Sequence, residues 1–104
     1  MWNDITYNEI AKIEKLIGEY NIWELEKSPF GKFKIKIYLD FNGFYSGYTN
    51  IQVIDKTGSY YCAVGHGTTE EMALRDTISE YLRLVSWKQD WEPSDFLWSE
   101  ASDF

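Results

Sequence analysis

Lys32-Phe33-Lys34-Ile35-Lys36-Ile37-Tyr38-Leu39-Asp40 is the stretch on which the reading of this chain turns. Apolar and polar residues alternate along it almost without fault, and successive side chains of a strand leave it on opposite faces. Phe33, Ile35, Ile37 and Leu39 share one face; Lys32, Lys34, Lys36 and Tyr38 share the other. A strand of this kind is half buried, so the sheet that holds it keeps one polar face.

Downstream, Asn42-Gly43 signals a tight turn. A two-residue turn there would set Ile35 opposite Asn50 and Phe33 opposite Gln52, yet the apolar set of the next strand, Tyr48 to Asp55, is Ile51 and Val53. One extra residue restores the phase, as a bulge at Ser46-Gly47 or a longer loop from Phe41 to Tyr48. Lys56-Thr57-Gly58 reads as a short turn, Ser59 to Val64 as a third strand, and Gly65-His66-Gly67 as its break. Thr68, with Glu71 three residues on, forms a capping box for a final helix. The stripe expected to be buried on that helix is Leu74, Ile78, Tyr81, Leu82 and Val85, with Met72 and Ala73 at its edge.

Upstream, residues 6–21 read as a helix: Thr6 and Glu9 make a capping box, and Ile10, Ile13, Ile17 and Tyr20 recur at helical spacing. Ser28-Pro29 stops any extension of it. The expected order is helix, three antiparallel strands, helix. This is an α+β domain over residues 1–87 with both helices on the apolar sheet face, followed by a tail over residues 88–104.

At 104 residues, one domain can bury a core without metal or disulfide staples. Net charge is −7, which opposes binding of a phosphate backbone over a broad face and favours partners with a basic surface. The single cysteine, Cys62, excludes an intrachain disulfide and reads as an inert thiol in a strand. No apolar run reaches membrane-spanning length, and the opening Met-Trp-Asn-Asp is no signal peptide, so a reducing cytoplasm is the expected compartment.

Chemistry-bearing constellations are sparse. One Cys and one His are too few for a zinc site. Gly65-His66-Gly67-Thr68 lacks the length and the lysine of a nucleotide-binding loop. Asp76 and Glu80 have the spacing of a wet helical face. The expectation is therefore a non-enzymatic protein with no cofactor and no metal. Lys32, Lys34 and Lys36, with Tyr38 and Tyr61 on the same expected face, form the only basic stripe and could contact nucleic acid by charge and stacking.

Residues 86–104 stand out. They carry five aromatics, Trp87, Trp91, Phe96, Trp98 and Phe104, and five carboxylates, Asp90, Glu92, Asp95, Glu100 and Asp103, against Lys88 alone. Trp91, Phe96 and Trp98 are the large, stiff side chains that anchor interfaces, and the flanking acids would steer them to a basic partner. The same segment could instead pack on its own domain or lie across the lysine stripe.

Gly65-His66-Gly67-Thr68-Thr69-Glu70-Glu71-Met72-Ala73-Leu74 resembles two groups of small proteins. One is the bacteriophage proteins with the phage ABA sandwich domain, generally of unknown function. Trp2 with the expected Ile5–Tyr20 helix, and Thr68 to Leu84, follow that outline over most of the chain. That family's name implies helices on both sheet faces, whereas the alternation here leaves one face polar. The other group is the HicB-type antitoxins, whose last strand runs into a Gly-x-Gly-x-Thr-x-Glu-Glu-Ala-Leu helix. Gly65, Gly67, Thr69 and Leu74 match it; the Glu-Glu is offset, and Met72, the first helix and the missing Pro-Gly turn depart from it. The topology is also similar to double-stranded RNA-binding domains, but Glu70, Glu71 and Asp76 replace their basic cluster.

Size, net charge and the acidic, aromatic residues 86–104 point to an inhibitor of a host nucleic-acid enzyme, in the manner of an anti-CRISPR, and the resemblance implies a phage or mobile-element protein. The alternatives are an antitoxin module neutralising a small basic toxin, or a nucleic-acid-binding domain using the lysine stripe.

Overall fold

The alternation of residues 32–40 is realised in the computed structural model, which describes residues 1–101 and 104. Strand β2 (Lys32–Asp40) buries Phe33, Ile35 and Ile37, while Lys32 and Lys34 are exposed. It pairs antiparallel with β3 (Tyr45–Ile54), which pairs with β4 (Tyr60–Gly67).

Both hairpins use the same device. Asp40 accepts the main-chain N–H groups of Asn42 and Phe44 on its carboxylate, and Asp55 does the same for Thr57 and Ser59. Three positions after each aspartate stands a glycine at positive φ, Gly43 at 87° and Gly58 at 88°. These are three-residue turns that need a left-handed residue at their end. The extra residue that the phase of β2 and β3 demands therefore lies in the turn Phe41-Asn42-Gly43, and no bulge forms at Ser46-Gly47, where Ile37 pairs Gly47.

The first expected helix does not form. Residues 6–21 become an irregular segment leading into strand β1 (Glu14–Trp23), antiparallel to β2 from Glu14 opposite Asp40 to Trp23 opposite Lys32. A bulge between Leu16 and Gly18 slips the phase by one residue. That slip hides the alternation Gly18, Tyr20, Ile22 behind spacings that mimic a helical stripe. A ten-residue ladder on the edge of β2 outweighs the helix propensity of a segment containing Gly18.

The one α-helix among the described residues, α1 (Glu70–Leu84), is capped by Thr69, whose hydroxyl oxygen accepts the Met72 N–H at 3.1 Å. Strand β4 runs through Gly65-His66-Gly67 and is not broken there. Helix α1 lies on β3 and β4 so closely that its buried line is Ala73, Thr77 and Tyr81, about one residue round from the expected stripe; Leu82 is exposed. Glycines make the approach possible. A Cβ on Gly67 would stand 2.6 Å from the Ala73 nitrogen, and one on Gly65 would overlap Thr77.

The segment read from sequence as a tail, 88–104, contributes a strand to the sheet. Strand β5 (Phe96–Trp98) pairs antiparallel with β3 at Ile51–Val53, on the edge that β2 leaves after Ile35 pairs Thr49. At that fork the Lys34 N–H donates to the Asn50 side-chain oxygen and the Ser99 N–H to the Asn50 carbonyl. On the other edge of β3 the ladder skips between Tyr48 and Gln52, and the Thr49 hydroxyl fills the gap by accepting the Ala63 N–H at 3.0 Å. The result is an α+β fold: one antiparallel sheet in the order β1-β2-β3-β4, with β5 also on β3, and a helix on one face.

Candidate functional site

Two surfaces collect the residues singled out by sequence: the segment after α1 and the sheet face opposite the helix.

In the segment after α1, the rings are spent on the fold. Trp87, Trp91, Phe96, Phe30 and Trp98 form a continuous chain of ring contacts with centroids 5.0–6.2 Å apart, mostly tilted or edge-on. Phe96 is 4% exposed within the core beside Val53 and Val85, and Trp91 packs against it. The indole N–H groups of Trp87 and Trp91 donate to the carbonyls of Ile54 and Lys88. The Tyr60 hydroxyl donates to the Ser94 carbonyl at 2.7 Å. The anchors expected to await a partner therefore close the open end of the core; among them Trp98 stays 46% exposed.

The carboxylates divide. Asp95 is bound by Lys88 at 2.6 Å and accepts the Glu92 N–H, and these two contacts hold its carboxyl below the usual carboxylate range, Lys88 contributing most. Asp90, Glu92 and Glu100 are exposed and have no cation within ion-pair distance among the described residues. Asp103 lies outside the described residues.

On the sheet face away from the helix, β2 presents Lys32, Lys34, Lys36 and Tyr38. Lys32 stands 5.1 Å over the Trp23 ring, a cation–π contact across β1 and β2. Lys36 and Tyr38 converge on Phe104: the ammonium and the hydroxyl donate to its main-chain oxygen at 3.1 and 3.2 Å, and the Lys36 nitrogen lies 4.4 Å over its ring. One end of the lysine stripe is thus covered by the chain itself. Tyr61 does not join the stripe. It pairs with Val53 and shares the parity of Ala63 and Gly65, the helix side, where it lines a hollow with Glu80, Arg83 and Leu84.

Beside the covered end is a shallow pocket of about 220 Å³ lined by Glu14, Tyr38, Tyr48, Thr49, Cys62, Ser99 and Phe104. Burial, then the charge of Glu14, then Tyr48 and Glu19, push the Tyr38 hydroxyl pKa up. Cys62 is half-buried in this wall.

The only serine–histidine contact among the described residues joins Ser46 Oγ to His66 Nδ1 at 3.2 Å on the exposed face. Asp76 accepts the His66 main-chain N–H and does not orient the ring, so no relay of base and orienting carboxylate is assembled. Among the described residues no group of three or more His, Cys, Asp or Glu is placed to hold a metal, and no helix is long and apolar enough to cross a membrane.

The uncovered carboxylates of residues 90–100 were legible in the sequence; the burial of the rings between them was not. Asn50, the residue where the sheet forks, carried no signal, because its role depends on β2 and β5 meeting β3 there. The chain matches no family model, no curated protein and no solved structure.

Proposed function

We propose that this protein is a small acidic, non-enzymatic protein–protein interaction module. It engages a partner with a basic surface, and its concrete form is a phage or mobile-element inhibitor of a host nucleic-acid-directed defence enzyme, anti-CRISPR-like in action. The observation that carries the reading is the set Asp90, Glu92 and Glu100: exposed, without cations of their own, and held on a segment that the Trp87–Trp98 ring chain fixes to the core. Fixed carboxylates lose little entropy on docking and favour fast, charge-steered association with a cationic groove. Ion pairs on α1, Glu71 with Arg75 and Glu80 with Arg83, neutralise part of the helix surface.

The test is retention of a basic nuclease of the defence type on the immobilised protein at low salt, with free nucleic acid as competitor. Retention that falls with salt, is displaced by nucleic acid and is lost in the triple variant Asp90→Lys, Glu92→Lys, Glu100→Lys is the expected result. Retention indifferent to the triple variant, or none at low salt, overturns it.

A second reading, an antitoxin module, is favoured by one observation. β4 runs through Gly65-His66-Gly67 into α1, as in the resemblance to HicB-type antitoxins, and the first helix that departed from that pattern is a strand. Co-expression rescue of a small basic toxin separates it from the first. Direct nucleic-acid binding through Lys32, Lys34 and Lys36 has less support, since Lys36 is engaged by Phe104.

A further inference from the structure

The two edges of the sheet are treated differently. Edge strand β4 is partly covered: helix α1 packs on it, and the His66 N–H is taken by the Asp76 carboxylate at 2.8 Å. Edge strand β1 is open. It ends the strand order, and among the described residues nothing pairs with its outer side.

Which groups point outward follows from the ladder. The Glu24 N–H donates to the Gly31 carbonyl, so Ile22 and Tyr20 are the residues that exchange main-chain hydrogen bonds with Phe33 and Ile35. Glu19, Asn21 and Trp23 alternate with them and turn their N–H and C=O groups to the free edge. The Lys34 N–H, opposite Asn21, agrees, since it points the other way to Asn50.

Natural edge strands are blunted by bulges, prolines, lysines or brevity. In β1 the bulge at Ile17 and the charge of Lys15 blunt the first half only. Residues Gly18–Trp23 are regular and contain no proline and no lysine. On the helix side of this half, Tyr20 and Ile22 sit at the rim of the core, only partly buried.

We infer that the regular half of β1 pairs antiparallel with β1 of a second copy of this chain about a two-fold axis at Asn21. Any register centred on a residue keeps like faces together; centring on Ile22 leaves only Asn21–Trp23 of the strand paired, and centring on Glu19 or Tyr20 is also poor. Centring on Glu19 sets Glu19 against itself. Centring on Tyr20 forces the bulged Ile17 opposite Trp23. Centring on Asn21 leaves the bulge outside the ladder, sets Tyr20 opposite Ile22 of the second copy on the helix side, and brings that copy's Glu19 opposite Trp23. There it meets Lys32, already lying over the Trp23 ring, so charge and apolar surface are both matched. The product is a continuous sheet of two copies with the partly covered β4 at both outer edges, a closed isologous pair.

The experiment is cysteine cross-linking in the full chain with Cys62→Ser. At a hydrogen-bonded antiparallel pair the Cα atoms stand about 5.5 Å apart, within disulfide reach. Asn21→Cys is expected to give a disulfide-linked dimer under mild oxidation, and Glu19→Cys is not, because its counterpart in this register is Trp23. In sedimentation, Asn21→Pro is expected to convert a dimer into a monomer with an unchanged melt, since the Asn21 N–H serves the free edge and not β2. Cross-linking at Glu19 in preference to Asn21, a chain that is monomeric at every concentration, or a dimer untouched by Asn21→Pro with an intact melt each overturns the inference.

Discussion

Gly47 and Gly65 stand directly opposite one another in β3 and β4, and together they form the floor on which Thr77 of α1 rests. A Cβ on Gly65 would lie 2.7 Å from the Asp76 carbonyl carbon and overlap the Thr77 main chain; one on Gly47 would overlap the Thr77 hydroxyl. The two glycines face different obstacles, backbone in one case and a side-chain end in the other. Gly65→Ala is therefore expected to lower stability by about 1–3 kcal/mol or more, read from the urea midpoint. Adding Thr77→Ala should recover part of the loss in Gly47→Ala and little of it in Gly65→Ala. Equal recovery in both would mean the helix is not seated on its backbone at Gly65.

Tyr81 is 1% exposed, stacks on Phe33 with centroids 4.3 Å apart, and its hydroxyl has no hydrogen-bond partner among the described residues. Burial, more than the nearby charge of Glu24, pushes its pKa up, and the neighbouring Ser28 side chain, which forms no hydrogen bond of good geometry with it, acts the other way. A desolvated hydroxyl without a partner costs stability, so Tyr81→Phe should be neutral or stabilising, whereas Tyr81→Ala should cost about 3–5 kcal/mol. A marked loss in Tyr81→Phe would reveal a partner for the hydroxyl, such as an enclosed water.

Phe96 joins β5 to the core, and the Ser99 N–H donates to the Asn50 carbonyl at 2.8 Å. Phe96→Ala should cost about 3–5 kcal/mol. In the unaltered chain, amides of residues 96–99 should exchange far more slowly than those of Met1–Ile10. Exchange of residues 96–99 at the unfolded rate would mean that the rings after α1 are free.

Acid sensitivity should pass through Asp95. Lys88 and the Glu92 N–H depress its folded-state pKa below the unfolded value. The stabilisation it contributes is thus complete above the unfolded pKa and disappears as pH falls through the folded one. The stability gap between the unaltered chain and Asp95→Asn should be widest near neutrality and close as pH drops below about 4. A gap constant with pH would assign the contact no ionic character.

How much of this was legible follows from range. Lys32–Asp40 and Glu70–Leu84 could be read because their periods, two and near 3.6, are properties of consecutive residues. The repeated turn, Asp40 to Gly43 and Asp55 to Gly58, was equally local; the sequence reading demanded an extra residue, as a bulge at Ser46-Gly47 or a longer loop from Phe41 to Tyr48, and missed the aspartate that organises both turns. Lys32, Lys34, Lys36 and Tyr38 share a face as their parity requires, and Tyr61 misses it because the three-residue turn Lys56-Thr57-Gly58 sets it opposite Val53, on the helix side.

By itself, then, the sequence determined the antiparallel hairpins, the capped helix on their apolar side, the acidic charge and the aromatic segment after Val85. Tertiary structure alone decided that residues 14–23 are a strand and that Phe96–Trp98 is another. Their hydrogen-bond partners, Lys32–Asp40 and Ile51–Val53, lie far along the chain, and no local pattern records them. It also decided which aromatic rings are core and which carboxylates stay exposed without a cation among the described residues. The composition of residues 86–104 is the same whether the rings are packed or free, and only the gap left beside β3 below Asn50, with Phe30 and Trp87 at its rim, resolves the choice toward packing.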